Sequence, residues 1–519
     1  LACSGKEITP ELLASPVWSG HLFSMKEIPR LFPVFAALFV LLSGSIPLVS
    51  LHADEFRTFT NSTGRSIRAK VLGVTGEKAS IGLESGQTFE VPLASLSVAD
   101  QQYLREWKPV AGVPAAAATA LAPTGGVTAA RINETIGAPL FADALLWSSK
   151  PEEVAARLKW PRESKSAIGE SYRAYPAADY RFLGARPHSA ALYGENEQVT
   201  AISLVYANKG DSFGTVGGGE QHFIKGKPVP GGMEGVRLIM ADDAETIGQK
   251  LTALLGQPKQ QRFGEGEARV EVQRWDWAGH AFLLSHVPDE YVSLAVQTIE
   301  AADNRGNTAR VPDSVIRERS RGFVERRENG DVVISNIPMV DQGPKGYCVP
   351  ATVERCMRFL GIPADMYLLA MAGGTKAGGG TSPDLLLSAI GSDIKRKGRS
   401  FDINDGELKL RDIQKSIDAG IPIIWAMFST ETFNDIATER TKARRESWGS
   451  HKGAVAAAAA DPKLTPDSDR AHVVIIIGYN PETNEIAFSD SWGENYLERW
   501  ISLPEAEQIS QHRMYVIGL

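Results

Sequence analysis

Cysteine is scarce in this chain, with three in 519 residues, at positions 3, 348 and 356. That excludes a disulfide-stapled scaffold, and the nine histidines form no clustered metal-ligand spacing with them, so no metal and no cofactor is expected. An excess of charge of one sign is missing too. Sixty-two acidic against 55 basic residues give a net charge of −7 without a long block of either sign. The densest basic stretches, "RERSRGFVERRE" from Arg317 and "KRKGR" from Lys395, are short and read as solvated surface, which sets nucleic-acid binding aside. Long apolar runs are absent with one exception. From Met25 the chain reads "MKEIPRLFPVFAALFVLLSGSIPLVSLHADEF", two cations followed by an uncharged apolar stretch from Leu31 to Leu51. This is the order of an export signal, and a retained membrane anchor is the competing reading because about 20 apolar residues also span a bilayer. Either way the remainder is expected outside the cytoplasm: periplasmic, at the cell surface or secreted. Residues 1–24 carry no pattern and are set aside, with Met25 taken as the natural start.

What is present fits three or four folded units, at roughly 100–200 residues per domain. Residues 54–108 alternate apolar and polar positions between Gly64, Gly76 and Gly86, the signature of short strands and turns. Residues 109–130 are a linker of Pro, Ala and Gly that cannot bury a core. Residues 131–305 read as an α+β domain with a weak internal duplication. "PEEVAARLKWP" from Pro151 and "DAETIGQKLTALLGQP" from Asp243 are helical in pattern, and each is followed by three strand-like segments. Trp275 and Trp277 fall on alternating strand positions and are expected as core or sheet-face residues. "GTVGGGE" from Gly214 lacks the strand, lysine and helix of a phosphate cradle and reads as a loop. A charged connector over 306–330 leads into a last domain, 331–519.

The chemistry concentrates in that last domain. After Cys348, "VPATVERCMRFLGIP" places Val353, Cys356, Met357 and Leu360 at helical spacing, with Pro350 in the first turn and Gly361 and Pro363 at the stop. Cys348 thus sits at a helix N-terminus, where unpaired N–H groups and the macrodipole favour a thiolate. Cys356, two turns deeper, reads as a core thiol. Eight residues of helix separate the two sulfurs by roughly 12 Å of rise, too far for a disulfide. An exported protein with an untied thiol invites a search for reactivity. Of the histidines, His472 opens the apolar strand "HVVIIIGYN", which is expected to run from Val473 to Ile477 and end in a glycine turn. His451 and His512 read as surface residues, and the first lies in a segment of loop composition. Asp490 ends a short strand before Ser491, Trp492 and Gly493, positioned to orient the imidazole while the Trp492 indole shields the hydrogen bond. Gln342, six residues before Cys348, supplies an amide that with the Cys348 backbone N–H would meet the negative charge on an attacked carbonyl oxygen. Gly343 and Gly346 let the chain turn between them. "AGGTKAGGGTS" from Ala372 reads as a mobile loop.

"QGPKGYC", "HVVIIIGYN" and "DSWG", in that order, resemble the papain-like cysteine peptidases, and among them the double-glycine leader peptidases of bacteriocin exporters and their free-standing kin. The resemblance covers residues of about 331–519. It implies a papain-like α+β fold and peptide-bond hydrolysis by Cys348, His472 and Asp490 with Gln342 at the oxyanion, supported by Trp492, Gly346 and Tyr347. The substrate would be a peptide or protein. The segment 429–470 is longer than such a domain requires. Residues 54–108 resemble the Sla-type homology module, an SH3-like β-barrel, which implies either a spacer or an adaptor for a protein partner. Two other functions compete: acyl transfer of the transglutaminase or deamidase kind on the same triad, and a non-catalytic envelope adaptor or binding protein built on a peptidase scaffold.

Overall fold

In the computed structural model, residues 56–107 and 126–519 are described, with breaks at 61–65, 77, 84–87, 143–144, 214–222, 225, 267–268, 309, 345 and 457–458. The stretches expected to be an upstream segment, an export signal and most of the linker, together with "GTVGGGE", lie outside the described residues. The chain divides into two units, at Ala115.

The first unit carries four antiparallel strands in sequential order, β1 (Arg57–Thr60), β2 (Ser66–Thr75), β3 (Lys78–Leu83) and β4 (Thr88–Pro92). Phe59, Ala69, Ala79 and Ile81 point into a small core closed by Leu93, Leu96 and Leu104. The helix Val98–Glu106 starts where the Ser97 side chain accepts the Asp100 N–H.

The second unit is built on two eight-stranded antiparallel sheets. In the first, the two segments read as halves contribute four strands each to one sheet. These are β5 (Arg162–Lys165), β6 (Glu170–Ala174), β7 (Ser189–Glu195) and β8 (Gln198–Asn208), then, past a two-residue hairpin of β9 (Phe223–Ile224) and β10 (Lys227–Pro228), β11 (Lys259–Phe263), β12 (Val270–Trp277), β13 (His280–Val287) and β14 (Tyr291–Thr298). The order is β11-β12-β13-β14-β8-β7-β6-β5, so the halves meet where β14 pairs with β8. The helix Gly232–Leu255 buries Val236, Met240, Ile247 and Leu251 at helical spacing against one face. Trp275 and Trp277 lie in that core, and each indole N–H is satisfied, by the carbonyls of Gly256 and Val127 at 3.0 Å.

The second sheet runs β15 (Val324–Arg326), β16 (Val332–Ile334), β19 (Ala471–Asn480), β18 (Ile423–Phe428), β22 (Ser510–Gly518), β17 (Ser400–Asp405), with β20 (Glu485–Ser489) on the far side of β19 and β21 (Arg499–Ser502) beyond it. The stretch read as a charged connector is not featureless: it holds the helix Asp313–Gly322 and β15, which pairs with β16. Strand β19 passes through Gly478 instead of turning there. The register shifts between Ile476 and Gly478, and a Cβ at Gly478 would lie 2.6 Å from the Val332 carbonyl oxygen, so glycine is what lets β16 come alongside. The segment 429–470 also differs from its loop-like composition. It forms the helices Glu431–Glu446 and Trp448–Ala456, and His451 is buried, its Nε2 3.0 Å from Glu485 Oε1. The alanine-rich sequence hid a helix held by an ion cluster in which Arg444 pairs with both Glu485 and Asp331. His512 is exposed.

The helix Cys348–Phe359 lies against β19. Its Val349, Val353 and Met357 join the core of the second sheet. The opposite face, which carries Glu354 and Arg355 and would normally meet water, is closed as well, both residues being fully buried.

Candidate active site

Cys348 is the first residue of its helix and is half-buried. Burial pushes the thiol's pKa up, but a hydrogen bond and charge from His472, together with the N–H groups of Val473 and Val349, outweigh it, and the thiol ends below its ordinary value of 9.0. Cys356 has burial and no such partners, and its thiol is pushed up to about 12. The two sulfurs thus differ because one faces donors and an imidazole while the other faces only the core.

His472 sits near the start of β19, opposite Met427 of β18, and 7% of it is exposed. Its Nε2 is 3.1 Å from Asp490 Oδ1, which leaves Nδ1 for the thiol. Burial depresses the imidazolium, yet the bonds to Asp490 and Cys348 raise its pKa to about 9. The Trp492 ring stacks on the imidazole at 4.9 Å and 25°, and Tyr496 meets the indole edge-on.

Asp490, just past β20, is fully buried and uses both oxygens. Oδ2 accepts from Arg499 Nη1 at 2.9 Å, and the same guanidinium donates to the Asn434 side chain and backbone carbonyl in the helix Glu431–Glu446, at 2.9 and 2.8 Å. Arg355 reaches the same strand end from the Cys348 helix. It donates to the carbonyls of Asp490, at 2.9 Å, and Pro338, and to the hydroxyls of Ser489 and Ser491. Burial lowers its pKa to about 10. Thr352 adds a bond to the Val473 carbonyl, so the helix that carries the thiol is fixed in register to the strand that carries the imidazole.

The Gln342 backbone N–H donates to the Ser491 carbonyl at 2.9 Å. Its side-chain Oε1 is buried without a hydrogen-bond partner among the described residues. Gly343 has φ of +69°, and a Cβ there would lie 2.7 Å from the Tyr175 ring. Gly346 is exposed, and its carbonyl accepts from Gly380 N–H at 3.2 Å. Tyr347 is buried and donates to Asn208 Oδ1 at 3.0 Å. The glycine-rich stretch from Ala372, read as mobile, is held at Gly346, at Lys209 through the Gly378 N–H, and by the Thr375 and Thr381 hydroxyls.

The structure therefore brings Cys348, His472, Asp490 and Trp492 together, with Gln342 on the loop tied to Ser491. Sequence reading missed Arg499 and Arg355. Arg499 opens β21 directly after Glu498 and reads as an ordinary strand-end charge, and Arg355 reads as the solvent face of its helix, so neither gave a signal. Also missed were residues in or just past strands of the first eight-stranded sheet that touch the stretch from Asp341 to Tyr347: Glu163, Tyr175 and Asn208.

No curated protein matches this chain. Residues 334–515 match the family model described as the Peptidase_C39 like family, and the residues before them lie outside the match. The last domain is thus similar to the papain-like cysteine peptidases of the C39-like type.

Proposed function

We propose that the chain is an exported cysteine peptidase whose last domain hydrolyses peptide bonds through Cys348, His472 and Asp490. The observation that carries this reading is the hydrogen-bonded series from thiol to imidazole to carboxylate, with the thiol's pKa lowered and the imidazole's raised to about 9. Those two directions favour a thiolate and an imidazolium side by side near neutral pH. The thiolate attacks the carbonyl carbon, and negative charge moves to the oxygen beside the Cys348 N–H and the Gln342 amide. As the C–N bond breaks, the imidazolium gives its proton to the leaving amine and a thioester remains. Water then attacks the thioester, the imidazole takes its proton, and the thiolate is released with the acid product. Asp490 holds the ring with Nδ1 toward sulfur, and the Trp492 indole covers it. The apolar stretch after Met25 supports export, and the alternating strands of the first unit support a tethered module for a protein partner.

The test is digestion of a mixed synthetic peptide library by the exported form, followed by mass spectrometry, with Cys348→Ala alongside. New peptide termini that vanish in Cys348→Ala are expected. Release of ammonia from glutamine side chains without chain cleavage would replace hydrolysis of peptide bonds with acyl transfer on the same residues. Absence of both would leave the domain a scaffold.

A further inference from the structure

We infer that the first eight-stranded sheet is part of the active site: Tyr175 and Glu163 position Gln342 by holding the peptide unit that precedes it. The inference rests on the peptidase reading above.

The segment from Asn336 to Tyr347 crosses from β16 to the Cys348 helix with no strand pairing among its described residues, and several of its polar groups are taken up from the side of the other sheet. Asn336 Oδ1 accepts from Ala167 N–H at 2.9 Å, and Ser164 Oγ accepts from Met339 N–H at 3.0 Å. Glu163 Oε1 accepts the Asp341 N–H at 2.8 Å, and the Tyr175 hydroxyl donates to the Asp341 carbonyl oxygen. Both polar groups of Asp341's backbone are therefore fixed from one side, immediately before Gln342. On the other side the Gln342 N–H is fixed to Ser491, next to Asp490. The Tyr175 ring lies against Gly343, on the residue that follows. Six residues on, Asn208 of β8 accepts the Tyr347 hydroxyl, so the loop is held by the same sheet at both ends.

The supports are themselves rigid. Glu163 is nearly fully buried and pairs with Arg173 of β6, which also donates to the Ser189 and Tyr193 hydroxyls. The Gln342 side chain, by contrast, has its Oε1 without a partner among the described residues. An oxyanion donor works when it is aimed before the charge develops. Here the aim comes from the backbone on either side of Gln342, and half of that backbone is gripped by the neighbouring sheet.

Tyr175→Phe in the full chain deletes one of these bonds and keeps the ring. On the best-cleaved peptide of the library, kcat is expected to fall about five- to tenfold with KM unchanged, the worth of one neutral hydrogen bond expressed as rate. Gln342→Ala should lower kcat about 10²–10³-fold, as removal of an oxyanion donor does. In the Gln342→Ala background Tyr175→Phe should add nothing further. The rate at which iodoacetamide alkylates Cys348 should be the same in wild type and Tyr175→Phe, because alkylation passes through no oxyanion. Gly343→Ala, which pushes the loop off the Tyr175 ring, should repeat the pattern. A Tyr175→Phe loss that persists at full size beside Gln342→Ala, that appears in KM instead of kcat, or that slows alkylation in parallel overturns the inference, as does no loss at all. A wild type that alkylates rapidly at Cys348 yet cleaves nothing removes the peptidase reading instead, and this inference with it.

Discussion

The two thiols of the last domain offer the sharpest test of the electrostatics. With its pKa pushed up to about 12, Cys356 is a thiolate in about one molecule in 10⁵ at pH 7, whereas Cys348, held below its ordinary value by His472 and the nearby N–H groups, ionises far more readily. The reactive form is thus far scarcer at Cys356 before access is considered, and only 1% of Cys356 is exposed. Iodoacetamide at pH 7 should place its label on the peptide containing Cys348 and not on that containing Cys356, and the label should be lost in Cys348→Ala. Raising the pH separates two requirements. Alkylation needs only the thiolate. Hydrolysis also needs the His472 proton, which the raised pKa keeps in place below about 9 and which is lost as pH rises through that value. Hydrolysis should therefore fall above about pH 9 while alkylation does not. First labelling at Cys356, labelling that survives Cys348→Ala, or two pH profiles that coincide through this range would refute the assignment of the environments.

Three further outcomes follow from the packing. Arg499→Met leaves the buried Asp490 with His472 as its one remaining charged partner among the described residues and should cost about 3 kcal/mol in a urea unfolding curve; a change within experimental error would show that the pair contributes nothing. Asp490→Ala removes the bond that supports the imidazolium against burial, so the alkaline limb of hydrolysis should move down from about 9 by roughly one unit or more, and a limb that stays or rises contradicts the role given to the carboxylate. At Gly210 a Cβ would sit 1.8 Å from the Tyr347 hydroxyl oxygen, so Gly210→Ala should destabilise by about 1–3 kcal/mol; an unchanged melting temperature would mean that the two sheets yield there easily.

Features set by neighbours in the chain were readable from the sequence. The helix after Cys348 announced itself through spacing, Pro350 and Gly361, and the apolar run Val473–Ile477 marked a strand buried on both faces. Features set by another element were not. Glu354 and Arg355 look like a solvent face because no local signal says that distant segments will cover it. Arg499 reaches Asp490 only because β21 folds back on β20, and that register is not written in either segment. The helix Trp448–Ala456 escaped for a related reason: its sequence lacks a clear polar and apolar division, and what fixes His451 is Glu485, 34 residues away.

The Arg499 to Asp490 pair constrains how this domain can drift. Exchange of either partner alone takes a counterion from a buried charge, at a cost of about 3 kcal/mol out of a total stability of roughly 5–15. A lineage can trade the aspartate for a neutral amide only if the arginine goes with it, or follows a stabilising change elsewhere. Among homologues, positions 434, 490 and 499 should therefore vary as a set, with the third member of the triad inherited together with the helix that braces it.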